Sequence, residues 1–97
     1  MPTAKSSSPR TFALHWASGL IAEEVQVESE YHVPTIQLLE ATEGEAEGSL
    51  MIRFCHYDHR GRFQRSPLIV SDDDLPALRK ALRKAPRLRA LLAKLVA

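Results

Sequence analysis

The chain has 97 residues, 44% of them hydrophobic and 26% charged, which is typical of a single globular domain. Its one cysteine excludes an internal disulfide, and no apolar run approaches the roughly 20 residues that a membrane helix needs. Segment 1–10 is rich in Ser and Pro and lacks the apolar core of a secretory signal. We therefore expect a disordered tail over 1–10, one domain over 11–97 and a cytoplasmic location.

The net charge of +1 conceals two segments of opposite sign. From Glu23 to Glu47 the chain has eight carboxylates and no Lys or Arg, whereas from Arg53 onward it has eleven basic and four acidic residues. Two solvated faces of opposite sign would produce this split. A basic surface for a polyanion, with an acidic surface turned away from it, would also produce it.

The first predicted elements are strands. Alternating apolar residues predict a short strand over 11–16 that is ended by Ser18-Gly19. The sequence of segment 23–30 fits either a strand or a helix, and the alternation of Val25 and Val27 with polar residues favours a strand. The next predicted strand covers 35–41.

A hairpin loop is predicted after the strand at 35–41, whose Ile36 and Leu38 are expected to face the core. The segment that follows, 43–48, is acidic and ends in glycine, so it does not suit a buried element. We expect it to connect the strand at 35–41 to a partner strand.

That partner strand is predicted over 50–57, with two distinct faces. Gly61 supplies the positive φ of a second hairpin turn, and 62–70 is predicted to return as the pairing strand. Pro67 cannot donate to a ladder, which places it at a sheet edge or a bulge. Alternation places Leu50, Ile52 and Phe54 on one face of this strand and Met51, Arg53, Cys55 and Tyr57 on the other. Phe54 is expected to point inward, and Arg53 and Tyr57 outward.

The hydrophobic period changes from strand to helix after residue 70. Ser71 and three aspartates supply helix caps, and Pro76 must lie in the first turn, so the cap is predicted at Asp73 or Asp74. A buried stripe on this helix is expected from Leu75, Leu78 and Leu82. Pro86 then either kinks the helix or begins a second helix, and we favour the second helix.

These elements predict an α+β fold. Sequential strands joined by short turns indicate an antiparallel meander of four strands, or of five if 11–16 takes part. The C-terminal helix, or helix pair broken at Pro86, would cover its apolar face.

Metal and thiol chemistry are not predicted, although Cys55, His56 and His59 lie close together in sequence. Strand alternation puts Cys55 and His56 on opposite faces, and a structural zinc site takes four ligands, usually as two pairs. His15 and His32 are isolated in the sequence and form no second pair. With no nucleophile elbow or phosphate loop either, we predict no metal, no cofactor and no enzymatic activity.

The predicted second hairpin combines aromatic and basic side chains. Exposed rings on strands stack on bases, while arginines neutralise phosphates, so the hairpin predicts a surface for single-stranded DNA or RNA. The alternative is that the rings belong to the core. The six candidate contact residues are Arg53, Tyr57, Arg60, Arg62, Phe63 and Arg65.

The C-terminal helices offer a competing function. Their leucines have helical spacing and would support self-association or binding of another protein, while their cations would either be solvated or form a second anionic-ligand patch. The candidate self-association residues are Leu88, Leu91, Leu92 and Leu95.

The architecture resembles the PC4-like single-stranded DNA-binding fold and the related PUR-type domains. The local likeness is carried by GRFQRSPLIVSDDDLPALRKAL, residues 61–82, in which a Gly-Arg-Phe turn enters a strand and an acidic cap precedes a leucine helix. The resemblance implies a homodimer formed through the helices and a curved sheet that holds a single strand. The acidic segment from Glu23 to Glu47 and the interruption at Pro86 depart from that pattern.

Overall fold

The structure is a computed structural model that describes residues 10–96. Five strands form one antiparallel sheet in the order β1-β2-β3-β4-β5, and two helices follow. The predicted α+β meander is therefore confirmed in its five-stranded form, and the predicted tail lies outside the described residues except for Arg10. The elements are β1 Thr11–Ala13, β2 Ala17–Gln26, β3 Val33–Gly44, β4 Leu50–Tyr57, β5 Phe63–Gln64, α1 Leu75–Leu82 and α2 Pro86–Val96.

Both helices begin where the sequence predicts. Asp74 is the N-cap of α1, with Pro76 in the first turn, and Ser71 instead caps a short 3-10 turn through a 3.1 Å bond from the Asp73 N–H to its hydroxyl. Pro86 is the first residue of α2, where its missing N–H has no helical partner to lose. Neither helix in this part of the chain has the length and apolar character to cross a membrane.

The main core lies between the helices and one face of the sheet, called here the helix face. The helices pack on β2 and β3, and Leu38 and Leu88 are fully buried between them. Leu75, expected in the buried stripe of α1, is instead 52% exposed. The buried cluster consists of Val25, Ile36, Leu38, Leu78, Ala85 and Leu88.

The other face of the sheet, called here the far face, is also largely buried. Register shifts between β2 and β3 mark two irregularities, and such bulges increase the twist of a strand pair. Two further apolar clusters form on the curled far face, so every residue over 33–39 is buried. The clusters are Phe12, Ala17, Leu39 and Ala41 in one, and Val33, Cys55 and Tyr57 in the other.

The predicted break after the first strand at Ser18-Gly19 is wrong. The turn lies at 14–16, closed by a 2.7 Å bond from the Leu14 N–H to the Ala17 carbonyl, and Gly19 lies inside β2. A Cβ at this position would overlap the carbonyl oxygen of Glu40 on β3. Gly19 therefore permits close approach of two strands, a role that sequence alone does not distinguish from a turn.

The predicted burial of Phe54 and the predicted exposure of Tyr57 are also wrong. Phe54 points to the helix face as expected, but the helices cover β2 and β3, and the ring stays 50% exposed. Tyr57 lies on the far face and is only 8% exposed. The predicted strand over 62–70 is reduced to β5, so Pro67 lies outside the sheet.

The leucines of the two helices give a direct test of this packing. We expect Leu88→Ala to lower the free energy of unfolding by about 2–5 kcal/mol, because it opens a cavity under α2. The matched change Leu75→Ala should lower it by less than about 1 kcal/mol, because that side chain is largely solvated. Urea denaturation followed by circular dichroism measures both. Equal losses would contradict the packing of α2.

Candidate nucleic-acid interface

The six candidate contact residues, called here the hairpin surface, lie on β4 and β5, in the turn between them and, for Arg65, directly after β5. Asp58 shapes that turn. Its Oδ1 accepts 2.9 Å bonds from the backbone N–H groups of Arg60 and Arg62, and its Oδ2 accepts a 2.9 Å bond from the Arg62 guanidinium. Gly61 supplies the predicted positive φ of 83°. The bonds from the Arg62 backbone and guanidinium and from the Arg60 backbone hold the pKa of Asp58 below its usual value.

The aromatic part of the hairpin surface is a pair of rings on the far face. Tyr57 pairs with Phe63 across β4 and β5, and their ring centroids lie 5.6 Å apart at 79°, an edge-to-face contact. The guanidinium carbon of Arg53 lies 5.1 Å from the Phe63 centroid, within cation–π range. Phe63 remains 46% exposed. Tyr57 therefore supports the accessible ring and offers little ring surface of its own.

A fully buried amide holds this arrangement from below. Gln37 Oε1 accepts a 2.7 Å bond from Arg53 Nε and a weak 3.6 Å contact from Cys55 Sγ. Its Nε2 donates to Glu24 Oε2 at 2.6 Å and to the Tyr57 hydroxyl at 3.0 Å. A buried amide needs its polar atoms paired, and both are. The network thereby fixes the positions of Arg53 and Tyr57.

Arg10 closes the network from the N-terminal side. It forms an ion pair with Glu24, donates a 3.2 Å bond to the Tyr57 hydroxyl and lies 5.6 Å from the Tyr57 ring centroid. Burial lowers the pKa of Arg10, but Glu24 and Tyr57 outweigh it and raise the pKa above its usual value. Its Ser/Pro-rich context predicts that Arg10 belongs to the tail, and nothing local in the sequence indicates its contacts with Glu24 and Tyr57.

The remaining arginines of the hairpin surface are exposed. Arg60 and Arg65 form no ion pair with residues 10–96, whereas Arg62 is paired with Asp58. The structure thus brings Arg53, Tyr57 and Phe63 together on the far face and places the other three arginines around the hairpin. Sequence reasoning missed Arg10, Glu24 and Gln37; the one available signal was a polar Gln inside an otherwise apolar strand.

The helix cations form a separate surface. Segment 75–96 carries seven basic side chains, all exposed, and no acidic one. Arg87 forms an ion pair with Glu40. Because the helices cover the other face of the sheet, the sheet separates these cations from the Phe63 ring. They are Arg79, Lys80, Arg83, Lys84, Arg87, Arg89 and Lys94.

The candidate self-association leucines are mostly used inside the chain. Leu88 is fully buried, and Leu91 and Leu92 pack against the same core. Leu95 alone among the four is exposed, at 72%. The leucine spacing of α2 is therefore explained by coverage of the sheet.

Cys55 and its neighbouring histidines do not converge. Cys55 is buried on the far face, while His56, on the helix face, lies with Nε2 3.0 Å from the Ser66 hydroxyl. His32, isolated in sequence, packs edge-on against His56 with ring centroids 5.0 Å apart. Over residues 10–96 no three His, Cys, Asp or Glu side chains are grouped closely enough to share a metal ion.

Neither a protein-family model, nor a curated protein, nor a solved structure matches this chain. The resemblance of 61–82 to PC4-like and PUR-type domains therefore stays a prediction. The function of the candidate interface therefore rests on its own geometry.

The acidic shift of Asp58 is testable through the amides that it binds. We expect the amide proton shifts of Arg60 and Arg62 to titrate with a midpoint below about 3.9, the ordinary Asp value. A lowered folded pKa means that the carboxylate stabilises the fold above the unfolded pKa, and that this contribution is lost as pH falls through the folded pKa. Nuclear magnetic resonance measures the shifts, and Asp58→Asn should abolish the titration. A midpoint at or above the ordinary value would contradict the contacts.

Burial raises the pKa of the Cys55 thiol, although Arg53 acts in the opposite direction. We expect the folded chain to react with a disulfide reagent near pH 8 at least roughly tenfold more slowly than the urea-denatured chain. Because the folded pKa is raised, the neutral thiol stabilises the fold fully below the unfolded pKa of about 8.5. This contribution is lost as pH rises through the folded pKa. A folded thiol as reactive as the denatured one would show that Cys55 is not enclosed.

Proposed function

We propose that this protein binds single-stranded nucleic acid, without catalysing a reaction, through the hairpin surface. The observation that carries the proposal is the accessible Phe63 ring, held in place by Tyr57 and flanked by Arg53. Rings of this kind stack on any base, because every base has a π-face. The ring lies on an edge strand, where an unstructured strand has access to it.

The charges around Phe63 suit a phosphate backbone. Arg53, Arg60 and Arg65 have no carboxylate partner within residues 10–96, while Asp58 partly neutralises Arg62. Three uncompensated arginines would displace counterions from about three phosphates, which corresponds to a log–log salt slope of about −2 for a single strand. Such a surface favours modest, salt-sensitive binding with little base preference.

Preorganisation supports the same proposal. Arg53 is held by the buried Gln37, and Arg62 is held by Asp58, so two long side chains lose little further freedom on binding. The exposed arginines that are not held, Arg60 and Arg65, can follow the backbone of the ligand. The helix cations are the competing location for the same ligand.

The proposal predicts that Phe63→Ala weakens binding of a fluorescently labelled single-stranded oligonucleotide by about 5- to 150-fold. This range follows from about 1–3 kcal/mol of stacking per base. Trp16→Ala is the matched control, since that ring is 45% exposed but lies in the turn between β1 and β2, at the end of the sheet opposite the hairpin turn. Fluorescence anisotropy at low and high salt measures both variants.

Paired charge variants locate the ligand. Arg60→Ala with Arg65→Ala should weaken binding and flatten the salt slope by about 1.4, whereas Arg79→Ala with Arg83→Ala on α1 should change neither. Loss of binding only in the α1 variant would move the site to the helix cations. No binding of the unmodified protein at micromolar concentration and low salt would refute the proposed function.

A further inference from the structure

The outer edge of β4 is open along most of its length. Strand β5 pairs only with His56 and Tyr57, and the chain then leaves the edge, since Ser66 lies against His56 on the helix face. Within the described chain, residues 50–55 pair with β3 alone. Native proteins usually cover, charge or shorten such an edge, because its free backbone groups can pair with another strand.

The hydrogen-bonding pattern identifies which residues face outward. The Ala41 N–H bonds to the Ser49 carbonyl, and the Asp58 N–H bonds to the Arg62 carbonyl. Because ladder bonds alternate along an antiparallel strand, odd-numbered residues of β4 bond to β3 and even-numbered ones point to the outer edge. The outward backbone groups are those of Leu50, Ile52 and Phe54.

The same three residues place apolar side chains beside that edge. All three are on the helix face, and Leu50 and Phe54 are 49% and 50% exposed. The edge is therefore both unpaired and apolar. Residues 50–55 contain no proline and show no register shift against β3, two of the devices that commonly protect an edge strand. Their one charged side chain, Arg53, is held by Gln37 on the far face and not at the apolar helix face.

We propose that a second copy of this chain pairs with this edge, β4 to β4 and antiparallel, about a two-fold axis at Ile52. Leu50 then faces Phe54 of the partner subunit, and Ile52 faces Ile52 of the partner subunit. Each facing pair exchanges two backbone hydrogen bonds, as outward residues of antiparallel strands do. The helix faces of the two sheets become continuous, and the exposed leucine and phenylalanine cover one another.

Charge complementarity selects a second copy and the antiparallel direction. The turn before β4 carries Glu45 and Glu47, and the hairpin after β4 carries Arg60 and Arg65, all exposed. Antiparallel pairing brings the acidic end of each copy toward the basic end of the other, twice per dimer. Parallel pairing would instead bring like charges together, which is unfavourable.

One like-charge pair lies close to the two-fold axis. Arg53 of the two copies would be diagonal neighbours on the far face. Each Arg53 guanidinium is held by Gln37 and lies over Phe63 of its own chain. It is therefore directed away from the two-fold axis, which limits the repulsion between the two copies. The interface uses neither α2 nor the Phe63 ring. It draws on Arg60 and Arg65, which also belong to the hairpin surface, but it does not depend on the proposed function.

Charge exchange tests the dimer with folded proteins. The unmodified chain should sediment as a dimer at micromolar concentration. Glu45→Lys with Glu47→Lys, and separately Arg60→Glu with Arg65→Glu, should each weaken self-association at least tenfold, because both contact sets become repulsive. An equimolar mixture of the two variants should form a heterodimer, because each contact set becomes attractive again. A monomeric unmodified chain, or a mixture that stays monomeric, would overturn the proposal.

A backbone variant tests the strand pairing itself. Phe54→Pro removes an outward N–H without removing a bond to β3, so it should weaken the dimer at least tenfold while circular dichroism stays unchanged. Phe54→Ala, which keeps the N–H, should weaken it less. Leu95→Asp on α2 should have no effect. A dimer that survives Phe54→Pro but dissociates with Leu95→Asp would place self-association on the helix and refute pairing through β4.

Discussion

The burial of β3 on both faces is the constraint on which the rest of the structure depends. One face of β3 packs against the helices, and the other is enclosed by the curl of the sheet. A strand enclosed in this way cannot leave a polar side chain unsatisfied, and Gln37 is fully buried at its centre. The partners that satisfy it come from β2 and β4, so a requirement of the core also positions the side chains of the candidate site.

The surface chemistry follows from that requirement. Arg53 is drawn inward by the Gln37 carbonyl oxygen, which leaves its guanidinium over the Phe63 ring. Tyr57 is drawn inward by the amide nitrogen and by Arg10, which presents its ring edge-on to Phe63. The accessible aromatic ring is thus the outermost member of a network that begins in the core. A loose aromatic side chain would lose more rotational freedom on binding than one held in this way.

Local signals in the sequence were sufficient for the elements whose causes are local. Alternation predicts the bounds of β4, and capping predicts an N-cap at Asp73 or Asp74, of which Asp74 is the observed one. The missing N–H of Pro86 predicts the start of α2. Burial is predicted less well, because it depends on where other elements pack. Phe54 lies on the expected face of the sheet, but the helices cover β2 and β3 and leave its ring half exposed. Arg10 and Gly19 were misassigned for the same reason, since their contacts with Tyr57 and Glu40 involve residues distant in sequence.

The charge split of the sequence acquires a geometric meaning once β4 is placed. Acidic and basic residues that are separate along the chain lie at opposite ends of one strand, so that strand has polarity in charge as well as in backbone direction. A two-fold axis beside such a strand pairs two copies antiparallel, so the acidic end of one copy meets the basic end of the other. Parallel pairing of successive copies would instead place acidic ends beside acidic ends and basic ends beside basic ends. The charge distribution along β4 therefore favours a closed dimer and opposes open-ended parallel assembly through the edge. Such assembly is the aggregation risk of an exposed apolar edge strand.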